Sequence, residues 1–133
     1  MQVTEFTIYL ANRPGQLAEF AQLLADGSVN VEALTAYTME DQGVVRVVVD
    51  DPAVARRLLA EAGMAVEERE VLTTVLANRP GTLAEMTRGL AQAGVNIDAL
   101  YVLRSSPAGL ELALAVNDLD TSRSRILTPA AGD

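Results

Sequence analysis

The chain has 133 residues, of which 18 are acidic and 10 are basic, so its formal net charge is −8. This charge repels nucleic acid and anionic lipid, and we expect neither as a partner. The sequence contains no Cys and no His, and all ten basic residues are Arg. Disulfides, thiolate nucleophiles, Schiff-base lysines and the usual base at neutral pH are therefore excluded, and we expect neither an enzyme nor a bound cofactor or metal ion.

The hydropathy of the chain is that of a folded protein that contacts no membrane. Half of the residues are apolar and 21% are charged, which is too hydrophobic for a disordered segment. The start of the chain has no basic stretch followed by an apolar run, and no run approaches the roughly 18 apolar residues of a membrane span. We therefore expect a soluble cytoplasmic protein.

The sequence contains an internal repeat. Residues 11–37 and 77–103, aligned without gaps at an offset of 66, are identical at 14 of 27 positions. This offset is half of the chain length, so the chain consists of two half-length copies. We predict domains at residues 1–70 and 71–133.

Each copy begins with a predicted strand and a predicted helix. Polar and apolar residues alternate from Glu5 to Leu10, which is the period of a half-buried strand. Pro14 suits the first position of a helix, and Gly27 can end that helix, as Gly94 can in the second copy. Apolar residues recur at helical spacing at Leu17, Phe20, Ala21 and Leu24, and the second copy places Leu83, Met86, Thr87 and Leu90 in the same stripe.

The remainder of the first copy predicts a hairpin, a helix and a last strand. Val29–Met39 is followed by a Gln42-Gly43 turn signal and by Val44–Val49, whose β-branched residues favour a strand. Asp51-Pro52 is a cap followed by a first-turn proline, and the helix that it opens ends near Gly63. The order strand, helix, strand, strand, helix, strand, with right-handed crossovers, predicts an α+β fold with a ferredoxin-like antiparallel sheet and helices on one face.

The junction and the end of the chain depart from a simple duplication. No Gly or Pro lies between residues 64 and 78, so we expect the last strand of the first copy to continue into the second copy without a flexible linker. In the second copy, Asn117 corresponds to Asp51, and residues 119–127 form the second helix. Only residues 128–133 remain after that helix, so we predict that the second copy is truncated at its last strand.

The motif at the start of both first helices resembles the ACT domain. Each copy reads Asn-Arg-Pro-Gly-x-Leu-Ala-Glu, beginning at Asn12 and Asn78, and then has Ser-Val-Asn-Val-Glu or Gly-Val-Asn-Ile-Asp after the helix. The resemblance covers nearly the whole chain as a tandem pair, although the family often has Asp in place of Asn12 and Asn78. It implies a non-enzymatic regulatory protein that binds a free amino acid at the interface between paired ACT domains. Its partners would be further copies of the chain and a regulated metabolic enzyme.

The physical chemistry of the repeated loops favours a binding site independently of the resemblance. A helix N-terminus has unpaired N–H groups and a partial positive charge, which favour a carboxylate, and Gly15 and Gly81 let a ligand approach the backbone. The amide oxygens of Asn30 and Asn96 can accept hydrogen bonds from an ammonium group. The candidate ligand-binding residues are Asn12, Arg13, Pro14, Gly15, Gln16, Leu17, Asn30 and Val31 in the first copy, and Asn78, Arg79, Pro80, Gly81, Thr82, Leu83, Asn96 and Ile97 in the second.

These residues also have purely structural interpretations. Pro-Gly ordinarily only starts a helix, Asn30 and Asn96 can be turn residues that bond their own backbone, and Arg13 and Arg79 can be solvated. The alternative function is therefore a structural accessory subunit that assembles with a partner and binds no small molecule.

The missing last strand also predicts how the chain assembles. Without that strand, the segment around Val71–Leu76 exposes backbone N–H and C=O groups that need partners. The same segment of a second chain, related by a two-fold axis, can supply them, so we expect a homodimer or a larger oligomer.

Overall fold

Residues 2–127 are described by a computed structural model of the chain. The chain divides into two units. The first is Thr4–Arg69, and the second contains the described residues from Glu70 onward together with the start of the first strand. Six strands and four helices follow one another in the order of two tandem ferredoxin-like modules, which confirms the predicted α+β fold.

The elements have the following bounds. The strands are β1 (Gln2–Ala11), β2 (Val31–Met39), β3 (Gln42–Val49), β4 (Val66–Leu76), β5 (Ile97–Ser106) and β6 (Gly109–Val116). The helices are α1 (Gln16–Asp26), α2 (Pro52–Glu61), α3 (Thr82–Gln92) and α4 (Leu119–Leu127).

In the first unit the strands lie in the order β2-β3-β1, and β1 has the beginning of β4 on its other side. β3 pairs antiparallel with both of its neighbours, and Phe6 of β1 lies opposite Val47 of β3. Phe20 of α1 and Leu59 of α2 join Phe6 and Val47 in one buried core. Both helices therefore cover the same face of this sheet, as the element order predicts.

The other face of β1 is not the polar, solvated face that the alternation predicts. Glu5 and Thr7 alternate with the core residues Phe6 and Ile8, yet their exposures are only 0% and 5%. Arg46 of β3 donates a hydrogen bond to the Glu5 carboxylate at 3.0 Å, and a paired charge can be buried where a single one cannot. The prediction of a half-buried strand is therefore wrong at these two residues.

In the second unit the strands lie in the order β4-β6-β5, and β6 pairs antiparallel with both neighbours. Leu72, Leu90 and Leu114 lie in its core, and Ile126 of α4 packs against them. α4 occupies Leu119–Leu127, which confirms the predicted second helix of this copy.

β4 crosses the junction between the copies as one continuous strand, Val66–Leu76. Its residues up to Arg69 belong to the first unit and those from Glu70 onward to the second. The prediction that no flexible linker separates the copies is confirmed. The predicted remnant of the last strand, residues 128–133, lies outside the described residues.

The first helix of each copy begins later than the sequence predicts. Gly15 and Gly81 are left-handed, with φ of +91° and +96°, and each is the residue before its helix. Only glycine adopts this conformation without a steric penalty. Pro14 therefore lies in the turn before α1 rather than at its first position.

The apolar stripe predicted for α1 is correct at two of four positions. Phe20 and Leu24 are buried, whereas Leu17 and Ala21 are not. Leu17 is 43% exposed and its counterpart Leu83 in α3 is 48% exposed, because both lie in the first helical turn, away from the core. The first turn of each helix therefore presents an apolar side chain beside the glycine loop.

The hairpin between β2 and β3 turns at residues 40 and 41, where Glu40 is left-handed with φ of +57°. Gln42 and Gly43 are the first residues of β3, so the predicted Gln42-Gly43 turn is two residues late. Glu40 is not a residue type that commonly adopts this conformation, which is why the sequence did not indicate the turn there.

Gly27 ends α1, as predicted, but its role is mainly close packing. Its φ is −91°, which any residue can adopt, and the left-handed residue is Ser28, with φ of +58°. A Cβ atom at Gly27 would overlap the Leu58 side chain of α2. α1 and α2 therefore pack closely at this glycine.

The second helices of the two copies have equivalent caps. Asp51 accepts a hydrogen bond from the N–H of Val54 at 3.2 Å, and Asp118 accepts one from the N–H of Thr121 at 3.0 Å. Asp51 therefore corresponds to Asp118, and the predicted correspondence with Asn117 is wrong by one residue. The second copy has gained one residue between the motif and this cap.

Candidate functional site

The loop between β1 and α1 forms a tight turn at the start of a helix. The N–H of Arg13 donates to the carbonyl oxygen of Ala11 at 2.9 Å, and the N–H of Gln16 donates to that of Arg13 at 3.4 Å. No side chain among residues 2–127 caps the N-terminus of α1. The first-turn N–H groups of α1 therefore remain without a side-chain acceptor, which favours an anionic ligand.

The loop between β4 and α3 has the same backbone but one additional contact. As in the first copy, the N–H of Arg79 donates to the carbonyl oxygen of Ala77 at 2.9 Å, and the N–H of Glu85 donates to that of Gly81 at 2.9 Å. The hydroxyl group of Thr82 also donates to the carbonyl oxygens of Ala77 and Arg79, at 2.8 and 3.2 Å. Gln16 stands at this position in the first copy, and its amide lies 3.4 Å from the Glu19 carboxylate instead.

A cavity of about 230 Å³ lies beside the loop of the first copy. It is bounded by the end of β1, the helix-start loop, the end of β2 and the start of β3. No acidic residue is among its lining residues, which are Leu10, Ala11, Asn12, Arg13, Gln16, Leu17, Ala36, Tyr37, Thr38, Gly43, Val44 and Val45.

The cavity brings together half of the candidate residues of the first copy. Asn12, Arg13, Gln16 and Leu17 line it, whereas Pro14 and Gly15 do not. A Cβ atom added at Gly15 would meet nothing within 4 Å, so the contribution of this residue is its left-handed backbone. The wall opposite the loop comes from β2 and β3, and the sequence did not indicate those residues.

Asn30 and Val31 lie at the opposite end of α1 from this loop, at the start of β2. The backbone of Asn30 is tied to Asp50: its N–H donates to the Asp50 carboxylate at 2.9 Å, and its carbonyl accepts from the Asp50 N–H at 3.0 Å. α1 has 11 residues, which separates its two ends by roughly 16 Å. The first unit by itself therefore does not bring these two sets of candidate residues together.

Asn96 and Ile97 have the equivalent position at the start of β5. The N–H of Asn96 donates to the side-chain oxygen of Asn117 at 2.9 Å. The Asn96 side-chain amide donates to the Asp98 carboxylate at 2.8 Å. These contacts favour the interpretation of Asn96 as a residue of the local turn.

A chain of polar side chains lies on the face of the first sheet opposite the helices. Arg46 Nε donates to the hydroxyl oxygen of Tyr37 at 3.3 Å, and Arg46 Nη1 donates to Glu5 Oε1 at 3.0 Å. Burial of Arg46 lowers the pKa of its guanidinium, but the hydrogen bond to Tyr37 and the charge of Glu5 more than offset this and raise the pKa overall. Tyr37 is 42% exposed, and the buried Glu5 and the charged Arg46 hold its hydroxyl group in place.

The sequence repeat carries a signal that could have indicated the wall. Identity between the copies continues to Leu34 and Leu100 and then stops, with Tyr37 in the first copy and Leu103 in the second at the end of the aligned segment. The sequence of the loop is therefore repeated in both copies, whereas the side chains at the end of the following strand differ between the copies.

Neither a metal-binding cluster nor a membrane-spanning helix is found in the described part of the chain. Residues 2–127 contain no group of three Asp, Glu, His or Cys side chains that could hold a metal ion. None of the helices described here is long and apolar enough to cross a membrane.

The described part of the chain is thus two tandem ferredoxin-like units, each with a left-handed glycine before its first helix. The family model described as "ACT domain pair" matches residues 1–129, so the chain belongs to this family. The predicted resemblance is thereby confirmed.

Solved structures show the same fold. The chain is similar to protein BT0572 from Bacteroides thetaiotaomicron, with 26% identity and a TM-score of 0.86 over 96% of this chain and 88% of that one. It is also similar to the regulatory subunit of aspartate kinase from Thermus thermophilus in its ligand-free form, with 16% identity and a TM-score of 0.65 over 95% of this chain and 89% of that one. No protein with a curated description matches the sequence.

Proposed function

We propose that the chain is a non-enzymatic regulatory protein that binds a free amino acid and thereby changes its own assembly or the activity of a partner. The observation that carries this proposal is the cavity of about 230 Å³ at the helix-start loop of the first copy. Four residues predicted from the repeated motif line that cavity: Asn12, Arg13, Gln16 and Leu17. Membership of the ACT domain pair family supports the same role.

The chemistry of the cavity suits the two charged groups of an amino acid. The helix N-terminus and the Arg13 guanidinium attract a carboxylate, and no lining residue repels it. The carbonyl oxygens of the loop and the amide oxygens of Asn12 and Gln16 can accept from an ammonium group. Leu10, Leu17 and Val44 provide apolar surface for a side chain.

We propose a homodimer, or a larger oligomer, as the form that responds to the ligand. The segment Val71–Leu76, predicted to expose its backbone, is not an open edge, because Leu72–Leu76 pair with β6 and Val71 and Leu72 are buried. We therefore place the contact at β2. β2 is the outer strand of the first unit and, among the described residues, pairs only with β3. It exposes Leu34, Tyr37 and Met39 at 40%, 42% and 55%. An outer strand with exposed apolar side chains favours association. Sedimentation velocity over a dilution series tests this, because a monomer at every concentration, with and without amino acids, would contradict it.

The same exposed residues support the second candidate function, a structural accessory subunit without a ligand. In that case the loops would only start their helices, and association would not depend on any small molecule. A metabolic enzyme in the cytoplasm is the partner that the family resemblance suggests for either function.

Equilibrium dialysis distinguishes the two functions. The protein is dialysed against an equimolar mixture of the twenty amino acids, and the amino acids retained with the protein are then quantified. The regulatory function predicts enrichment of one amino acid or of a few with similar side chains. Equal concentrations of all twenty on both sides of the membrane would favour the accessory subunit.

A further inference from the structure

Asp26 is followed by Gly27, and the sequence contains no other Asp-Gly step and no Asn-Gly step. The main-chain nitrogen of the residue after an aspartate can attack the aspartate side chain. Glycine hinders this reaction least, because it has no side chain and reaches the widest range of φ and ψ. At the offset of 66, the second copy has Gln92 and Ala93 in these places, so only the first copy contains the reactive step.

In the folded protein, hydrogen bonds hold both reacting groups of this step. Asp26 is the last residue of α1, and its carboxylate accepts a hydrogen bond from the side-chain amide of Gln22 at 2.7 Å. Gln22 lies one helical turn earlier, so this bond holds the carboxylate along the surface of the helix. The N–H of Gly27 donates to the carbonyl oxygen of Leu24 at 3.2 Å. This nitrogen must lose its hydrogen, and with it the hydrogen bond, before it can bond to the side chain.

The packing of Gly27 also restrains the end of α1. A Cβ atom at Gly27 would overlap the Leu58 side chain of α2, so the backbone has no room to move toward α2. Two residues further along, Val29 is buried, and its N–H donates to the carbonyl oxygen of Leu24 at 2.9 Å. The chain is therefore fixed on both sides of the Asp26–Gly27 bond, and ring closure requires the last turn of α1 to detach from α2.

We propose that Asp26 is a site of spontaneous isoaspartate formation, and that the folded state suppresses this modification until the last turn of α1 detaches. The nitrogen of Gly27 then attacks Cγ of the Asp26 carboxylic acid. The N–Cγ bond forms, a Cγ–O bond breaks, and the amide hydrogen leaves with the hydroxyl group as water. A second water molecule hydrolyses the resulting succinimide ring at the main-chain carbonyl carbon of Asp26, which leaves the chain connected through Cγ. One water molecule is released and one is consumed, with no oxidation or reduction.

The modification changes the packing of the first unit. Isoaspartate at residue 26 adds one carbon atom to the main chain between α1 and Gly27. The N–H of Gly27 is then displaced from the carbonyl oxygen of Leu24, and Leu58 leaves no room for the displaced backbone. Overpacking of this kind destabilises a folded domain. A chain that is modified while unfolded therefore refolds with weaker packing between α1 and α2.

Incubation of the full chain at neutral pH, folded in buffer and unfolded in guanidinium chloride, tests the proposal. Isoaspartate is quantified by enzymatic methylation and is located in the chain by fragmentation mass spectrometry. We expect isoaspartate to form at residue 26 at least tenfold faster in the unfolded chain than in the folded one. After refolding, the modified fraction should have a lower Tm. Asp26→Glu is the control, because glutamate would have to close a larger ring, and this variant should regain its original Tm after the same treatment.

Two truncations distinguish opening at the end of α1 from unfolding of the whole chain. Leu58→Ala removes the side chain that packs against Gly27, whereas Ile126→Ala truncates a side chain that packs against the core of the second unit. In the folded protein, we expect Leu58→Ala to accelerate isoaspartate formation at residue 26 at least threefold and Ile126→Ala to change it less than twofold. Gln22→Ala removes the hydrogen bond to the carboxylate at an exposed position and should accelerate the reaction without disturbing the core.

Three results would overturn the proposal. The first is an equal rate at residue 26 in the folded and the unfolded chain, and the second is no isoaspartate at residue 26 in either. The third is the same acceleration by Leu58→Ala and Ile126→Ala, which would mean that unfolding of the whole chain, and not detachment of α1, controls the modification.

Discussion

The guanidinium of Arg46 lies 3.0 Å from the carboxylate of Glu5, and the side chain of Glu5 is completely buried. The two residues are 41 positions apart in sequence and lie on the paired strands β1 and β3. Arg46 also donates to the Tyr37 hydroxyl oxygen. This ion pair therefore anchors a polar network on the face of the first sheet opposite the helices.

Arg46→Met should destabilise the protein by about 3 kcal/mol, because it removes the ion pair and the hydrogen bond that Arg46 makes with the buried Glu5 carboxylate. Unfolding in urea, followed by circular dichroism, measures this change. Arg57→Met is the control, because the Arg57–Glu61 ion pair is exposed on both sides and should contribute less than about 1 kcal/mol. If both substitutions lower the free energy of unfolding equally, the buried Glu5–Arg46 pair contributes no more to stability than an exposed ion pair.

Glu68 should make the stability of the protein sensitive to acid. The hydrogen bond from Arg56 lowers the pKa of Glu68 below its ordinary value of 4.5, although burial opposes this. A carboxyl group with a lowered pKa in the folded state stabilises that state above the unfolded pKa, and this stabilisation is lost as the pH falls through the folded pKa. Both side chains are partly exposed, so the contribution is a few tenths of a kcal/mol to about 1 kcal/mol.

Arg56→Gln tests this linkage. The difference in unfolding free energy between the wild-type protein and the variant should be constant above about pH 5.5 and should shrink below pH 4.5, where Glu68 becomes protonated. The lowered pKa would be contradicted if the difference in unfolding free energy stayed constant down to about pH 3, on the order of one or two pH units below the ordinary pKa of Glu68.

Substitution by alanine should lower the stability of the protein at Gly27 and raise it at Gly89. A methyl group at Gly27 would overlap Leu58, so Gly27→Ala should destabilise the protein by about 1 kcal/mol. Gly89 lies inside α3 with nothing within 4 Å of an added Cβ atom, so Gly89→Ala should stabilise it by about 0.5–1 kcal/mol through helix propensity. Thermal unfolding of both variants measures the changes. Stabilisation by Gly27→Ala would mean that α1 and α2 do not pack closely there.

Gly15→Val should weaken binding of an amino acid without unfolding the protein. The φ of Gly15 is +91°, so a β-branched residue disfavours the turn that presents the α1 N-terminus. Gly81→Val imposes the same strain in the second copy, where φ is +96° and the surrounding space is equally open. Both variants should lose stability to a similar degree, on the order of 1–2 kcal/mol.

The ligand affinities of these two variants show which of the two loops contributes to binding. Calorimetric titration should show a loss of affinity in Gly15→Val that exceeds the loss in Gly81→Val by at least tenfold, or about 1.4 kcal/mol. Unchanged affinity in both single variants and in the double variant would remove the glycine loops from the site.

The repeat, the order of the elements and the positions of the loops could be predicted from the sequence alone. The alternation in β1, the Asp51-Pro52 cap and the absence of Gly and Pro across the junction are local patterns, and each has a local physical cause. The glycine loops were also found by pattern, although the helices after them begin two residues later than Pro14 suggested.

The cavity wall could not be predicted because it depends on contacts between distant parts of the chain. Ala36 and Val45 line the cavity only through the register of β2 against β3, and that register follows from a turn at residues 40 and 41, which contains no glycine. The burial of Glu5 depends on Arg46 in the same way. The bulge at Leu103 adds one residue to β5, and an ungapped comparison of the repeats could not show it.

Thermal unfolding of the wild-type protein in the presence of each of the twenty amino acids is the most direct test of the central claim that this ACT domain pair binds a free amino acid. A ligand at about 100 times its Kd stabilises the folded state by about 2.7 kcal/mol, which corresponds to a rise of several degrees in Tm. We predict such a rise with at least one of the twenty amino acids at millimolar concentration and none with the corresponding D-amino acid. An unchanged Tm with all twenty would contradict the account.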